Sequence, residues 1–101
     1  MKVSKSFEAF ASEAPEYHSI WMKNVQKLDA VSKLDKKTKE LAYLAVLAAI
    51  RLESGIPFHT KMAKVYGATR EEIISAILVG LPAVGNCVVS ALPIALSAYD
   101  V

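Results

Sequence analysis

The apolar residues of this chain recur mainly at helical spacing, and no alternating pattern of the kind that strands show is present. Phe7, Phe10 and Ala11 predict a short helix from Ser4 to about Ser12. A second helix is predicted from Pro15 to about Leu28, because proline is tolerated in the first helical turn. These patterns predict an all-α protein, a bundle of five to six helices.

The most apolar helix is predicted at the centre of the chain. The segment Leu41 to Ile50 reads LAYLAVLAAI and contains no polar break. A helix that is apolar on all sides is buried on all sides. Either Ser32 with Asp35 or Asp35 alone is expected to cap it, and Gly55 to end it in a left-handed conformation. We expect this central helix also to contact a neighbouring subunit.

Three further helices are predicted downstream. The first begins at Pro57 and ends at Gly67. The next, Arg70 to Val79, follows a capping box formed by Thr69-Arg70-Glu71-Glu72. The last runs from Pro82 to Ala98, and Pro93 is expected to kink it because proline removes one backbone hydrogen bond.

Length and composition predict one domain, residues 1–101, that associates with copies of itself. A small domain has much surface and little interior. The hydrophobic share of 53% is therefore more than one such chain can enclose. Since large exposed apolar patches usually mark interfaces, we expect a homo-oligomer.

Charge and segment composition argue against several partners. Lys and Arg total 12 against 10 Asp and Glu, with no Arg-rich arm, so nucleic-acid binding is not expected. The N-terminal segment MKVSKSFEAF lacks an apolar signal-peptide core, and we expect a cytoplasmic protein. The uncharged stretch Ile73 to Tyr99 is long enough to span a bilayer, but glycines, prolines and serines interrupt it. Two shorter helices buried in an oligomer are expected there, and no membrane partner.

Cys87 is the only cysteine, so a disulfide or a two-cysteine metal or redox motif within one chain is impossible. Its neighbours Asn86, Val88 and Val89 make an apolar setting, in which a cysteine behaves as a small hydrophobic residue. We expect no metal site and no cofactor.

Two segments of the chain resemble a known family. LDKKTKELAYLAVLAA, an interruption, and then FHTKMAKVYGATREEI are similar to the carboxymuconolactone decarboxylase and alkylhydroperoxidase D family, over about residues 15 to 99. The resemblance implies an all-helical fold, trimers or hexamers built from trimers, and an active site near the break between the two segments.

The resemblance also implies which residues form that site. Glu40 and His59 match the proton-relay glutamate and histidine of the family's peroxidase branch. That branch has a Cys-x-x-Cys motif, whose cysteine positions here are Leu52 and Gly55, so both thiols are lost. Ser54 stands just before the second of these positions. The chain thus resembles the family with its acid–base pair retained and its redox pair removed.

Acid–base chemistry on a small carboxylic acid or lactone, such as decarboxylation or isomerisation, is the leading hypothesis. Histidine can pass a proton in either direction near neutral pH. Glu40 and His59 would be catalytic, and we expect direct or one-water contact between them, within one chain or between subunits. Arg51, whose planar guanidinium matches a carboxylate, and Ser54 are weaker candidates for substrate binding.

Two other hypotheses remain. The chain could be a peroxidase homologue that uses Cys87 or an external thiol in place of the lost pair. It could also be a non-catalytic oligomer that binds a small molecule, with Glu40 and His59 joining two helices. Tyr43, Tyr66 and Trp21 are expected in the core or at an interface.

Overall fold

The computed structural model describes residues 2–101, which are mostly helical, with no β-strand in that range. The all-α prediction is confirmed. By internal contacts the chain divides into two compact units, residues 3–34 and residues 35–101. The expectation of a single domain stays a prediction.

The first unit is a pair of helices, α1 (Lys5–Glu13) and α2 (Pro15–Val31). The Ser4 hydroxyl caps α1 by accepting a hydrogen bond from the Phe7 N–H at 3.2 Å. Aromatic rings join the two helices. His18 of α2 lies edge-on to Phe7 and Phe10, with ring centroids 5.5 and 5.4 Å away.

The second unit contains the remaining helices. Four of them pack on one another, namely α3 (Lys36–Ile50), α4 (Ile56–Val65), α5 (Arg70–Leu78) and α7 (Ala91–Tyr99). A short 3₁₀ turn, Glu53–Gly55, joins α3 to α4. The apolar core of this unit is formed mainly by fully buried aliphatic side chains, among them Leu44, Ile56, Ile73, Ile77 and Val88.

Local capping signals act as the sequence predicts. Asp35 caps α3, and its carboxylate accepts a hydrogen bond from the Thr38 N–H at 2.9 Å. The capping box of Thr69 and Glu72 is complete, with hydrogen bonds in both directions. Gly67 follows α4 with φ of +95°. Each of these signals works within four residues of sequence, which is why it can be predicted.

One chain buries only one side of α3. Leu44, Leu47 and Ala48 are buried, whereas Val46 and Ile50 are 53% and 63% exposed. The predicted burial on all sides is therefore not achieved within one chain. Coverage of the exposed side by another copy stays a prediction.

The prediction of a single last helix from Pro82 to Ala98 is wrong. The segment forms a short helix α6 (Leu81–Val84), a 3₁₀ stretch Gly85–Ser90 and then α7. The break falls at Gly85, whose φ of +81° is outside the helical region. Pro93 does not kink a helix, because it is the third residue of α7, in the first turn, where a missing N–H costs little.

By length and composition alone, the helical stretch Arg70–Tyr99 could cross a membrane. The core helix of a soluble protein passes the same test. The stretch is not one continuous helix here, because Gly85 interrupts it. The absence of a membrane partner stays a prediction.

Candidate active site

Two anchors hold the start of α3, the helix that presents Glu40. Both Asp35 carboxylate oxygens accept hydrogen bonds from Thr38, one from its N–H and one from its hydroxyl, each at 2.9 Å. The bond from the Thr38 N–H is the main reason that the pKa of Asp35 is lowered. Lys37 forms an ion pair with Glu72 of α5 at 3.0 Å. Glu40 lies one turn beyond Lys36, the first residue of this anchored helix.

The turn after α3 determines where α4, and with it His59, begins. Arg51 ends α3 in the left-handed conformation, with φ of 62° and ψ of 30°. Its N–H donates to the Ala48 carbonyl at 3.3 Å, and the Leu52 N–H donates to the Leu47 carbonyl at 3.0 Å. The prediction that Gly55 has the left-handed role is therefore wrong, since its φ is −85°.

Gly55 serves a different purpose, namely close packing. A Cβ atom at this position would lie 3.2 Å from Cδ1 of Leu47, a buried core side chain. The absence of a side chain lets the 3₁₀ turn approach α3 closely. The chain then enters α4 through Pro57, which is tolerated in the first turn.

This arrangement brings His59 back against Glu40. Nδ1 of His59 lies 2.7 Å from Oε2 of Glu40, and the two side chains are 25% and 17% exposed. The predicted contact is therefore present, it is direct, and it occurs within one chain. An ionised carboxylate only accepts hydrogen bonds, so Nδ1 is the donor when Glu40 is ionised. The second ring nitrogen, Nε2, is then the atom that could exchange a proton with a bound molecule.

Two aromatic rings contact the imidazole. The Tyr43 ring lies 4.3 Å from the His59 ring, centroid to centroid, at an angle of 49°. Phe58 meets it edge-on at 5.1 Å. Tyr43 was expected in the core or at an interface; it lies outside the core, 45% exposed beside the site, and a place at an interface stays a prediction. Its position one turn after Glu40 was the sequence signal that could have revealed this role.

The weaker candidates, Arg51 and Ser54, lie at the opposite end of α3. Arg51 is 11 residues after Glu40, or about 16 Å along a helix axis. Both side chains are exposed. Beside them, Glu53 accepts a hydrogen bond from the Ser90 hydroxyl, which connects the turn to the 3₁₀ stretch after α6. The structure does not place Arg51 or Ser54 in contact with the Glu40–His59 pair, and their roles stay predictions.

No second thiol accompanies Cys87, and the two motif positions are Leu52 and Gly55. Cys87 is half-buried, and its Sγ lies 3.5 Å from the Val84 carbonyl oxygen in hydrogen-bonding geometry. Residues 2–101 contain no group of three or more His, Cys, Asp or Glu side chains that could hold a metal ion.

The resemblance of two sequence segments to a known family implied an all-helical fold and an active site near the helix break. The model of the carboxymuconolactone decarboxylase family matches residues 15–97. Because this match covers most of the chain, the protein belongs to the carboxymuconolactone decarboxylase family. No curated protein and no solved structure shows a significant match to the chain.

Proposed function

We propose that this protein catalyses an acid–base reaction, decarboxylation or isomerisation, on a small carboxylic acid or lactone. The observation that supports it most directly is the 2.7 Å contact between Nδ1 of His59 and Oε2 of Glu40. A carboxylate on one ring nitrogen selects the tautomer and leaves the other nitrogen to transfer the proton. Family membership adds support, because the family's name includes a decarboxylase.

In a decarboxylation, the bond between the substrate carbon and its carboxylate breaks and CO₂ leaves. The bonding electrons stay on the substrate as an enolate, and the carbon then takes a proton from Nε2 of His59. In an isomerisation, Nε2 removes a proton from one carbon and returns it to another. In both reactions Glu40 stabilises the charged imidazolium and holds the ring in place.

Two-cysteine peroxidase chemistry is the less favoured alternative. That reaction needs a reactive thiolate with a second thiol beside it. Leu52 and Gly55 supply neither group, and Cys87 is the only thiol in the chain. Peroxide turnover that persists in Cys87→Ser would exclude the version of this alternative that depends on Cys87.

Release of CO₂ from carboxymuconolactone, or loss of its absorbance, tests the proposal. His59→Gln should lower kcat by about 100-fold or more, the usual contribution of a general acid or base. His18→Gln is the matched control, because His18 is the other histidine and lies in the first unit, among phenylalanine rings. Circular dichroism should show that both variants are folded. Equal turnover by His59→Gln and the native protein would contradict the proposal.

We also propose self-association into a trimer or hexamer, in the cytoplasm. The exposed apolar side chains of α3, Val46 and Ile50, support association because water contact with such groups is unfavourable. Light scattering coupled to size-exclusion chromatography tests this point. A monomer at all protein concentrations would contradict it.

A further inference from the structure

The Glu40–His59 pair belongs to a longer row of side chains where α3 and α4 pack side by side. Lys36, Glu40 and Tyr43 are spaced four and three residues apart, so they share one face of α3. His59 of α4 and Tyr66, the residue that caps the end of α4, are seven residues apart and lie on the same side of this helix. Lys36 meets Tyr66, while Glu40 and Tyr43 meet His59, which makes the two helices antiparallel. We call these five residues the α3–α4 seam.

The Lys36 ammonium is the cation of this seam. Its Nζ lies 5.6 Å from the centre of the Tyr66 ring, within the range of a cation–π contact. Across residues 2–101, the Lys36 side chain makes no hydrogen bond or ion pair, with either side chains or backbone. Two other lysines differ in this respect. Lys37 is paired with Glu72 at 3.0 Å, and Lys64 donates to the Tyr99 carbonyl at 2.6 Å. The N–H donors of Lys36 are therefore available to an anion.

Distance favours Lys36 over Arg51 as a partner for a molecule bound at His59. Lys36 lies four residues before Glu40, about 6 Å along the helix axis, whereas Arg51 lies about 16 Å beyond it. A small carboxylic acid that touches His59 can reach the first cation more easily than the second. Tyr66 holds the lysine side chain over its ring, on the α4 side of the seam.

We propose that Lys36 binds a carboxylate of the substrate that the reaction does not remove. This inference rests on the proposed function. The bound carboxylate is a different group from the one that leaves as CO₂. A cation on the leaving carboxylate would stabilise the ground state more than a transition state in which that charge is dispersed. Lys36 is thus a specificity residue, and the substrate class is a molecule with an anionic carboxylate one to two helical turns from its reacting carbon, because Lys36 lies one turn from Glu40 and its partner Tyr66 lies two turns from His59.

Binding, measured without turnover, tests this assignment. The probe is 3-(5-oxotetrahydrofuran-2-yl)propanoate, a small lactone acid whose carboxylate is separated from the ring by two methylene groups, and its neutral methyl ester is the comparison. Binding is followed by amide NMR shifts at the α3–α4 seam. Lys36→Gln should weaken binding of the acid about fivefold, the upper range for an exposed ion pair, and leave the ester unchanged. Added salt should weaken binding of the acid to the native protein more than to Lys36→Gln.

Two control variants complete the experiment. Lys36→Arg should restore binding of the acid, because it keeps the charge. Lys33→Gln makes the same charge change before α3 begins and should bind as the native protein does. Loss of fold is not expected in Lys36→Gln, since cations at a helix N-terminus are unfavourable. The proposal is overturned if Lys36→Gln binds the acid normally, or if the native protein does not distinguish the acid from its ester.

The two proposals fail in different ways. If His59→Gln loses turnover while Lys36→Gln binds the acid normally, the acid–base function stands and the role of Lys36 falls. If His59→Gln keeps full turnover while Lys36→Gln loses affinity for the acid, the binding site stands and the proposed use of His59 falls.

Discussion

The contact between Glu40 and His59 can be measured as a coupling free energy, and its size tests the description of the site. The experiment is a double-mutant cycle with Glu40→Ala, His59→Ala and the double variant. The cycle removes the effects that each substitution has alone, such as the contact of His59 with Tyr43. What remains is the interaction free energy of the two side chains.

The structure sets the expected magnitude. A hydrogen bond to a charged group contributes about 1.5 to 3 kcal/mol to stability. Partial exposure of the two side chains, 25% and 17%, lets water and salt weaken the 2.7 Å contact. We therefore expect a coupling free energy of about 1 to 2 kcal/mol at pH 7. A smaller coupling is expected for Lys37 and Glu72, because their separation is 3.0 Å and both side chains are 37% exposed.

Urea unfolding of the four proteins measures the coupling. All samples must have the same protein concentration, because association would stabilise the folded state by mass action. The Lys37–Glu72 cycle, under the same conditions, is the control. A coupling below about 0.3 kcal/mol, the usual additivity error for independent sites, would show that Glu40 and His59 do not interact in solution.

Three further predictions concern stability, and urea unfolding measures each of them. Arg51→Gly should raise the free energy of unfolding by about 0.5 to 1 kcal/mol, since glycine adopts the φ of 62° without strain; a decrease would refute the strained conformation. Thr60→Val should raise it by about 1 kcal/mol, because the buried Thr60 hydroxyl has no hydrogen-bond partner within residues 2–101; a clear decrease would reveal a missed partner. The pKa of Glu72 is lowered by the hydrogen bond that its carboxylate accepts from the Thr69 N–H and by Lys37. The ionised carboxylate therefore stabilises the fold at pH values above 4.5, its ordinary pKa, and this stabilisation is lost as the pH falls below that value. Glu72→Gln keeps an acceptor for the cap but not the charge, so the variant should lose less stability between pH 7 and pH 3 than the native protein; an equal loss would contradict the assignment.

Several parts of the site depend on interactions that a single sequence describes poorly. The resemblance identified Glu40 and His59, but the sequence left open whether they meet within one chain or between subunits. They meet within one chain because α3 and α4 pack antiparallel and Gly55 lets the connecting turn approach Leu47. The contact of Tyr43 with His59 depends on how far each helix is rotated about its own axis. Residues several turns away set that rotation through the core.

By itself, the sequence determined the helical class, the caps at Asp35 and Thr69, and the end of α4 at Gly67. These features arise from hydrogen bonds and backbone preferences within a few residues, so they do not depend on the rest of the chain. Only the tertiary structure decided that Arg51 ends α3 in the left-handed conformation and that the last predicted helix breaks at Gly85. At Arg51, packing of whole helices outweighs local preference, because burying apolar side chains stabilises the fold by more than one strained residue costs.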